Sequence, residues 1–163
     1  MENELPSEPP RTPQQLDLLN LCRALNAQGA QYVVVGGMAV NHHGFLRATE
    51  DIDLVLEKSR ENQAKVRAAL ETLPDKAVRE MEKDDLDRYL VVRVADEIVV
   101  DLMLSAGGVS YEEAVGEIET VTIDGVAIPF ASAKLLLKMK QTVRERDVID
   151  RQFLEQKIKA QKR

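Results

Sequence analysis

Three aspartates interrupt the most apolar runs of this 163-residue chain. Thr49-Glu50-Asp51-Ile52-Asp53-Leu54-Val55-Leu56 carries two of them, and Ile98-Val99-Val100-Asp101-Leu102-Met103-Leu104 carries the third. Side chains of a strand alternate between faces, so Ile52, Leu54 and Leu56 share an apolar face and Asp51 and Asp53 share the other. Neighbouring carboxylates on one face repel, and strand interiors disfavour aspartate. An isolated Asp101 in an apolar strand would be costly to bury. A divalent cation offsets all three at once, because Mg²⁺ prefers hard oxygen donors and is commonly held by carboxylates together with substrate phosphates. Three carboxylates on neighbouring strands can hold two ions roughly 3.5–4 Å apart. The competing reading, acids at solvent-exposed strand ends, suits any one of them better than all three.

The surrounding chain reads as one mixed unit. Residues 1–12, with Pro6, Pro9 and Pro10 among acidic and serine residues, are expected to form a disordered tail. Residues 13–160 form a single domain on this reading. Thr12-Pro13 suggests an N-cap and first helical residue for an amphipathic helix ending near Gly29. Tyr32–Val35 is a short buried strand that stops at Gly36-Gly37, with a helix from Met38 to His43. Strand 51–56 and helix 60–73 follow. The region 77–104 reads as strands, clearest over 89–94 and 98–104, with Ala95-Asp96-Glu97 as the turn between them. Residues 117–130 read as a hairpin turning at Asp124-Gly125. Helices over 132–143 and 146–159 close the chain. The order of elements gives an α+β (mixed α/β) domain.

Glycine permits unusual backbone angles and close approach of a ligand, and backbone N–H groups at a helix start attract anions. Gly36-Gly37 could therefore cradle phosphates beside the aspartates, or simply supply a tight turn. The order of strand, glycine turn, helix and Asp-x-Asp sharpens the choice. Tyr32-Val-Val-Val-Gly36-Gly37, followed by Arg47-Ala-Thr49-Glu-Asp51-Ile-Asp53-Leu, resembles the signature of the polymerase-β-like nucleotidyltransferase superfamily. It is most similar to bacterial small nucleotidyltransferases of the abortive-infection toxin type. Asp101 matches the superfamily's third carboxylate, and Lys134-Leu-Leu-Leu-Lys138 with Arg144, Asp147 and Asp150 resembles its C-terminal helical region. The similarity spans residues 14 to 155. It departs at Gly37, where many members carry serine.

This resemblance implies a mixed sheet flanked by helices, with the C-terminal helices closing a cleft. It implies metal-dependent transfer of a nucleoside monophosphate from a nucleoside triphosphate to a hydroxyl acceptor: RNA, protein or small molecule. Asp51, Asp53 and Asp101 would be the catalytic and metal-binding residues, holding two Mg²⁺ ions, with Mn²⁺ as the alternative. Gly36, Gly37, Arg47 and Thr49 would contact the nucleotide. Lys134 and Lys138 share a helix face and either meet the triphosphate or form a solvated cationic surface. Asp147 and Asp150 would pair with Lys138 or Arg144 rather than bind metal. A toxin–antitoxin or phage-defence setting would add a cognate antitoxin as partner. The alternative is a catalytically silent nucleotide-binding or partner-binding module of the same fold.

Composition narrows the partners. The net charge of −6 argues against a broad nucleic-acid-binding face, and 4% aromatic residues offer few stacking platforms for single-stranded RNA. Cys22 is the only cysteine and falls on an apolar helix face, so it reads as core in a reducing compartment. His42 and His43 are too few for a zinc site. No apolar run approaches the roughly 20 residues needed to span a bilayer, and the N-terminus lacks a signal-like segment. The expectation is a cytoplasmic protein without membrane contact.

Overall fold

The computed structural model describes residues 8–140 and 145–161. The chain begins with helix α1 (Gln15–Ala27), strand β1 (Tyr32–Val35), helix α2 (Gly36–His42), strand β2 (Asp51–Leu56) and helix α3 (Arg60–Leu70). A 3₁₀ turn (Ala77–Glu80) and the short helix α4 (Asp85–Arg88) lead into strands β3 (Val92–Ala95) and β4 (Val99–Met103). The small hairpin β5 (Ser105–Ala106) and β6 (Val109–Ser110) is followed by α5 (Tyr111–Ala114), strands β7 (Ile118–Ile123) and β8 (Val126–Ala131), and helices α6 (Ala133–Met139) and α7 (Glu145–Gln161).

Six strands form one sheet in the order β3-β4-β2-β1-β8-β7. The inner pairs β2–β4 and β1–β8 are parallel, while β1–β2, β3–β4 and β7–β8 are antiparallel. Central strands shielded on both faces need near-continuous apolar sequence. Accordingly Val33, Val34, Ile52, Leu54, Val55, Leu56, Val100 and Leu102 are fully buried. Helix α1 packs on α3 and β8, and α2 sits between β1, β2 and α6. Cys22 lies in the core at 0% exposure. No described helix is long and apolar enough to cross a membrane.

Several boundaries differ from the sequence expectation. Helix α1 is capped at Gln14 rather than Thr12, because the Asp17 carboxylate accepts a 2.7 Å bond from the Gln14 N–H. Arg11 is tied down by Asp17 and Glu97, and its backbone N–H donates to the Glu97 carbonyl. The charged stretch before residue 89 has no two-residue apolar period, and it turns into the 3₁₀ segment and α4 instead of strand. Strand β3 starts only at Val92, after the exposed Tyr89, Leu90 and Val91. Helix α6 is observed to Met139, and the expected residues 141–143 lie outside the described ones. The turn at Asp124-Gly125 forms as read, with both residues at positive φ (50° and 78°), the backbone of a primed hairpin turn.

The Ala95–Glu97 turn hides a structural tie. Asp96 is buried at 2% exposure, and its carboxylate accepts bonds from the backbone N–H groups of Asp75, Ala77 and Glu97. It pins the loop after α3 to the β3–β4 hairpin. Removing the carboxylate would leave those donors without their partner. Asp96→Ala should therefore lower unfolding stability by about 2–4 kcal/mol, read from the shift of the urea midpoint. A midpoint unchanged from wild type would show that the tie contributes nothing.

Candidate active site

The strand register brings the three acids together. Parallel pairing of β2 with β4 sets Asp53 directly opposite Asp101, and antiparallel β3 sets Arg93 opposite Asp101 from the other side. Asp51 precedes Asp53 by two residues and so shares its face. Each of Asp51, Asp53 and Asp101 offers one oxygen, and these oxygens lie within 4.8 Å of one another. Hard oxygen donors at this spacing fit a divalent cation of the Mg²⁺ type.

The glycine turn is shaped around the same group. Gly36 has φ +67°, and a Cβ there would come within 2.0 Å of Asp53 Oδ2. A side chain at Gly37 would strike Thr49 Cβ and Oγ1 at 2.9 Å. Gly36 is thus required for close packing against a carboxylate as well as for its left-handed backbone. The Thr49 hydroxyl is spent locally, donating to the Asp51 carbonyl at 2.9 Å and fixing the entry to β2.

A cleft of about 870 Å³ opens over the triad. Gly36, Gly37, Arg47, Thr49, Asp51, Asp53, Asp101 and Lys140 all border it, and the tip of the β5–β6 hairpin forms part of its rim. Gly107 at that tip packs so tightly on the end of α6 that a Cβ would meet the Met139 carbonyl oxygen at 2.5 Å. Arg47 does not pair with Glu50. Its Nε and Nη2 each donate at 3.0 Å to the carboxylate of Asp150, which is fully buried on α7. Lys140 Nζ lies 3.1 Å from the same carboxylate.

Lys134 and Lys138 lie outside the cleft. Lys134 is exposed, and Lys138 is held by Glu117 at 3.2 Å. Sequence reasoning missed Lys140 and did not see that Asp150 joins Arg47 to it. A signal existed for Lys140, since it follows the inward Leu136 by four residues and so continues the buried stripe of α6 rather than its charged face. Asp150 has no such signal, because its partner Arg47 is 103 residues away. Arg144 and the side chain of Asp147 lie outside the described residues. His43 is buried and structural, its Nε2 2.9 Å from the Ala131 carbonyl, and His42 stacks on Phe130.

The family model for the nucleotidyl transferase AbiEii toxin of type IV toxin–antitoxin systems matches residues 19–154. The chain belongs to this family. It is a nucleotidyltransferase, and the described architecture is the polymerase-β-like one that the carboxylate pattern implied. Among solved structures, the chain is similar to the aminoglycoside nucleotidyltransferase ANT(2″)-Ia, crystallised with adenylyl-2″-tobramycin. That similarity has a TM-score of 0.58 at 15% identity and covers 89% of each chain, so the two share a fold. A sequence comparison with curated proteins gives no significant match.

In this AbiEii-family chain the triad carries a large electrostatic cost. Burial, then the charges of Asp51 and Asp101, pushes Asp53 up to about 8. Burial and Asp101 raise Asp51 as well, against the opposing pull of Arg93. A carboxyl whose folded pKa is raised stabilises the fold while it is protonated, and that contribution is lost as pH climbs through the folded value. Metal-free protein should therefore lose stability between about pH 4 and pH 8 on account of Asp53. Asp53→Asn should melt at a higher temperature than wild type in EDTA near pH 8, by about 2 kcal/mol or more in unfolding free energy, and close to wild type near pH 4. Equal melting at both pH values would contradict this account.

Proposed function

We propose that this nucleotidyltransferase moves a nucleoside monophosphate from a nucleoside triphosphate to a hydroxyl acceptor, using divalent metal held by Asp51, Asp53 and Asp101. The observation that carries the reading is the convergence of the three carboxylates in a cleft that Arg47 and Lys140 also border. Bound metal would activate the attacking oxygen and steady the phosphates of the substrate. The chain's own groups do the rest. The acceptor oxygen bonds to the α-phosphorus, the bond to the β-phosphate bridge breaks, and pyrophosphate leaves. Asp101 would take the proton of the attacking hydroxyl.

Phosphate oxygens would meet the backbone of Gly36 and Gly37, which border the cleft beside the triad. Arg47 and Lys140 face the cleft and offset the charge that spreads over the phosphoryl oxygens during transfer. Their positions favour them over Lys134 and Lys138 for this role. Membership of a type IV toxin–antitoxin family makes a cognate antitoxin the expected partner in the cell. The net charge of −6 and the scarcity of aromatic residues favour an acceptor held at its reactive end over one gripped along an extended nucleic-acid backbone.

Calorimetric titration with ATP, GTP, CTP and UTP, in Mg²⁺ and in EDTA, tests the reading. Binding of at least one nucleotide should require Mg²⁺ and should disappear in the double variant Asp51→Ala, Asp53→Ala. Well-folded protein that binds none of the four would defeat it. Lys140→Ala should weaken that binding roughly tenfold, because a charge contact to phosphate in a partly enclosed cleft is worth about 1–2 kcal/mol. Lys138→Ala should leave it unchanged, and the reverse pattern would return the phosphate role to the exposed face of α6. Asp101→Asn should reduce pyrophosphate release in the presence of acceptor by at least about 100-fold while the nucleotide still binds.

A further inference from the structure

Arg93 is the one cation that touches the triad directly among the described residues. Its Nε and Nη2 donate to Asp101 Oδ1 and Oδ2 at 2.9 and 3.0 Å, and Nη2 also reaches Asp51 Oδ2 at 3.2 Å. A cross-strand ion pair on a sheet surface would ordinarily be worth little. This one is different in what it occupies. The Asp101 side chain is 7% exposed and the Arg93 side chain is 60% exposed, so a solvent-reaching guanidinium covers a buried carboxylate. The fork engages both oxygens of Asp101 and one of Asp51, and these carboxylates are two of the three candidate ligands.

Granted the metal site proposed above, we infer that Arg93 is a resident counter-cation that competes with divalent metal for Asp51 and Asp101 and so sets the affinity of the site. In metal-free protein it lowers the repulsion between the two strands' carboxylates. A divalent ion entering the triad takes over that task, and the longest of the three contacts, to Asp51, is the one that gives way. A carboxylate has roughly four acceptor positions, so Asp101 keeps its bond to Arg93 and presents its remaining positions to the ion. Arg93 is accordingly a positioning residue that acts through Asp101. Among the described residues, its guanidinium bonds to Asp101 and Asp51 alone.

The test is a Mn²⁺ titration followed by electron paramagnetic resonance on wild type, Arg93→Gln and Arg93→Lys, paired with melting curves in EDTA and in saturating Mn²⁺. Removing one positive charge a few ångströms from the site should tighten Mn²⁺ binding on the order of tenfold in Arg93→Gln. The same variant should melt lower than wild type in EDTA, and Mn²⁺ should close that gap. A merely structural arginine would lower the melting temperature equally in both conditions and leave the affinity alone. Arg93→Lys keeps the charge but not the fork, and should tighten binding by a smaller factor; it serves as the deciding variant should Arg93→Gln not fold. Equal or weaker Mn²⁺ binding in the variants, with wild type binding normally, overturns the role of Arg93 and leaves the metal site standing. No binding by any of the three proteins overturns both.

Discussion

Mutual repulsion of carboxylates on one sheet face is the constraint around which this molecule is arranged. Asp53 and Asp101 face each other across the parallel β2–β4 pair, and Leu54 faces Leu102 one residue further on. The same register thus sends the acids to the cleft and the leucines to the core. A slip of one residue in β2 would reverse its faces, turning Asp51 and Asp53 into the core and Ile52 and Leu54 out to the cleft. The apolar face therefore holds the charged face in a geometry the charges alone would resist. Gly36 shows how closely that geometry is drawn, since a Cβ there would lie 2.0 Å from Asp53 Oδ2.

Charge in the cleft is only partly balanced. Asp51, Asp101 and Asp150 are paired with Arg93, Arg47 and Lys140, while Glu50 also borders the cleft and burial beside Asp51 and Asp101 pushes Asp53 up to about 8. Unpaired charge in a buried polar site is heavily penalised, so these cations offset part of what the acids cost. The site is compatible with metal, but its own basic groups oppose metal binding.

The sequence disclosed the part of this arrangement that depends on local pattern. Tyr32–Val35 and Asp51–Leu56 have the observed strand limits because each is a short apolar run closed by a glycine turn or a charged loop. The triad was legible because acids in apolar strands violate a local rule three times over, and the strand register brings all three together. The cationic wall was not legible in the same way. Lys134 and Lys138 satisfy the four-residue spacing of a helix face, yet that face points to solvent, and Lys140 on the buried stripe is the lysine at the cleft. Spacing identifies a shared face without saying which way it points. Asp96 failed for a related reason: acidic turn residues are usually solvated, and only the fold shows three backbone N–H groups converging on it.

Asp150 ties the chemistry to the docking of the last helix. Its fully buried carboxylate pairs with both Arg47, from the loop before β2, and Lys140, from the end of α6. Such a buried group stabilises little by itself, because desolvation offsets much of the attraction, but losing Asp150 would leave two cations side by side without their shared counter-charge. Helix α7 has a second anchor about two helical turns further on, at Lys157. Lys157 Nζ is 2.8 Å from both Nδ1 and the carbonyl oxygen of His43. The ring therefore presents Nδ1 as acceptor to the ammonium and donates from Nε2–H to the Ala131 carbonyl. One anchor lies on the cleft's cations and the other on the helix that follows the glycine turn. Displacing α7 would release both, so Arg47 and Lys140 keep their orientation at the cleft only while the C-terminal helix is seated.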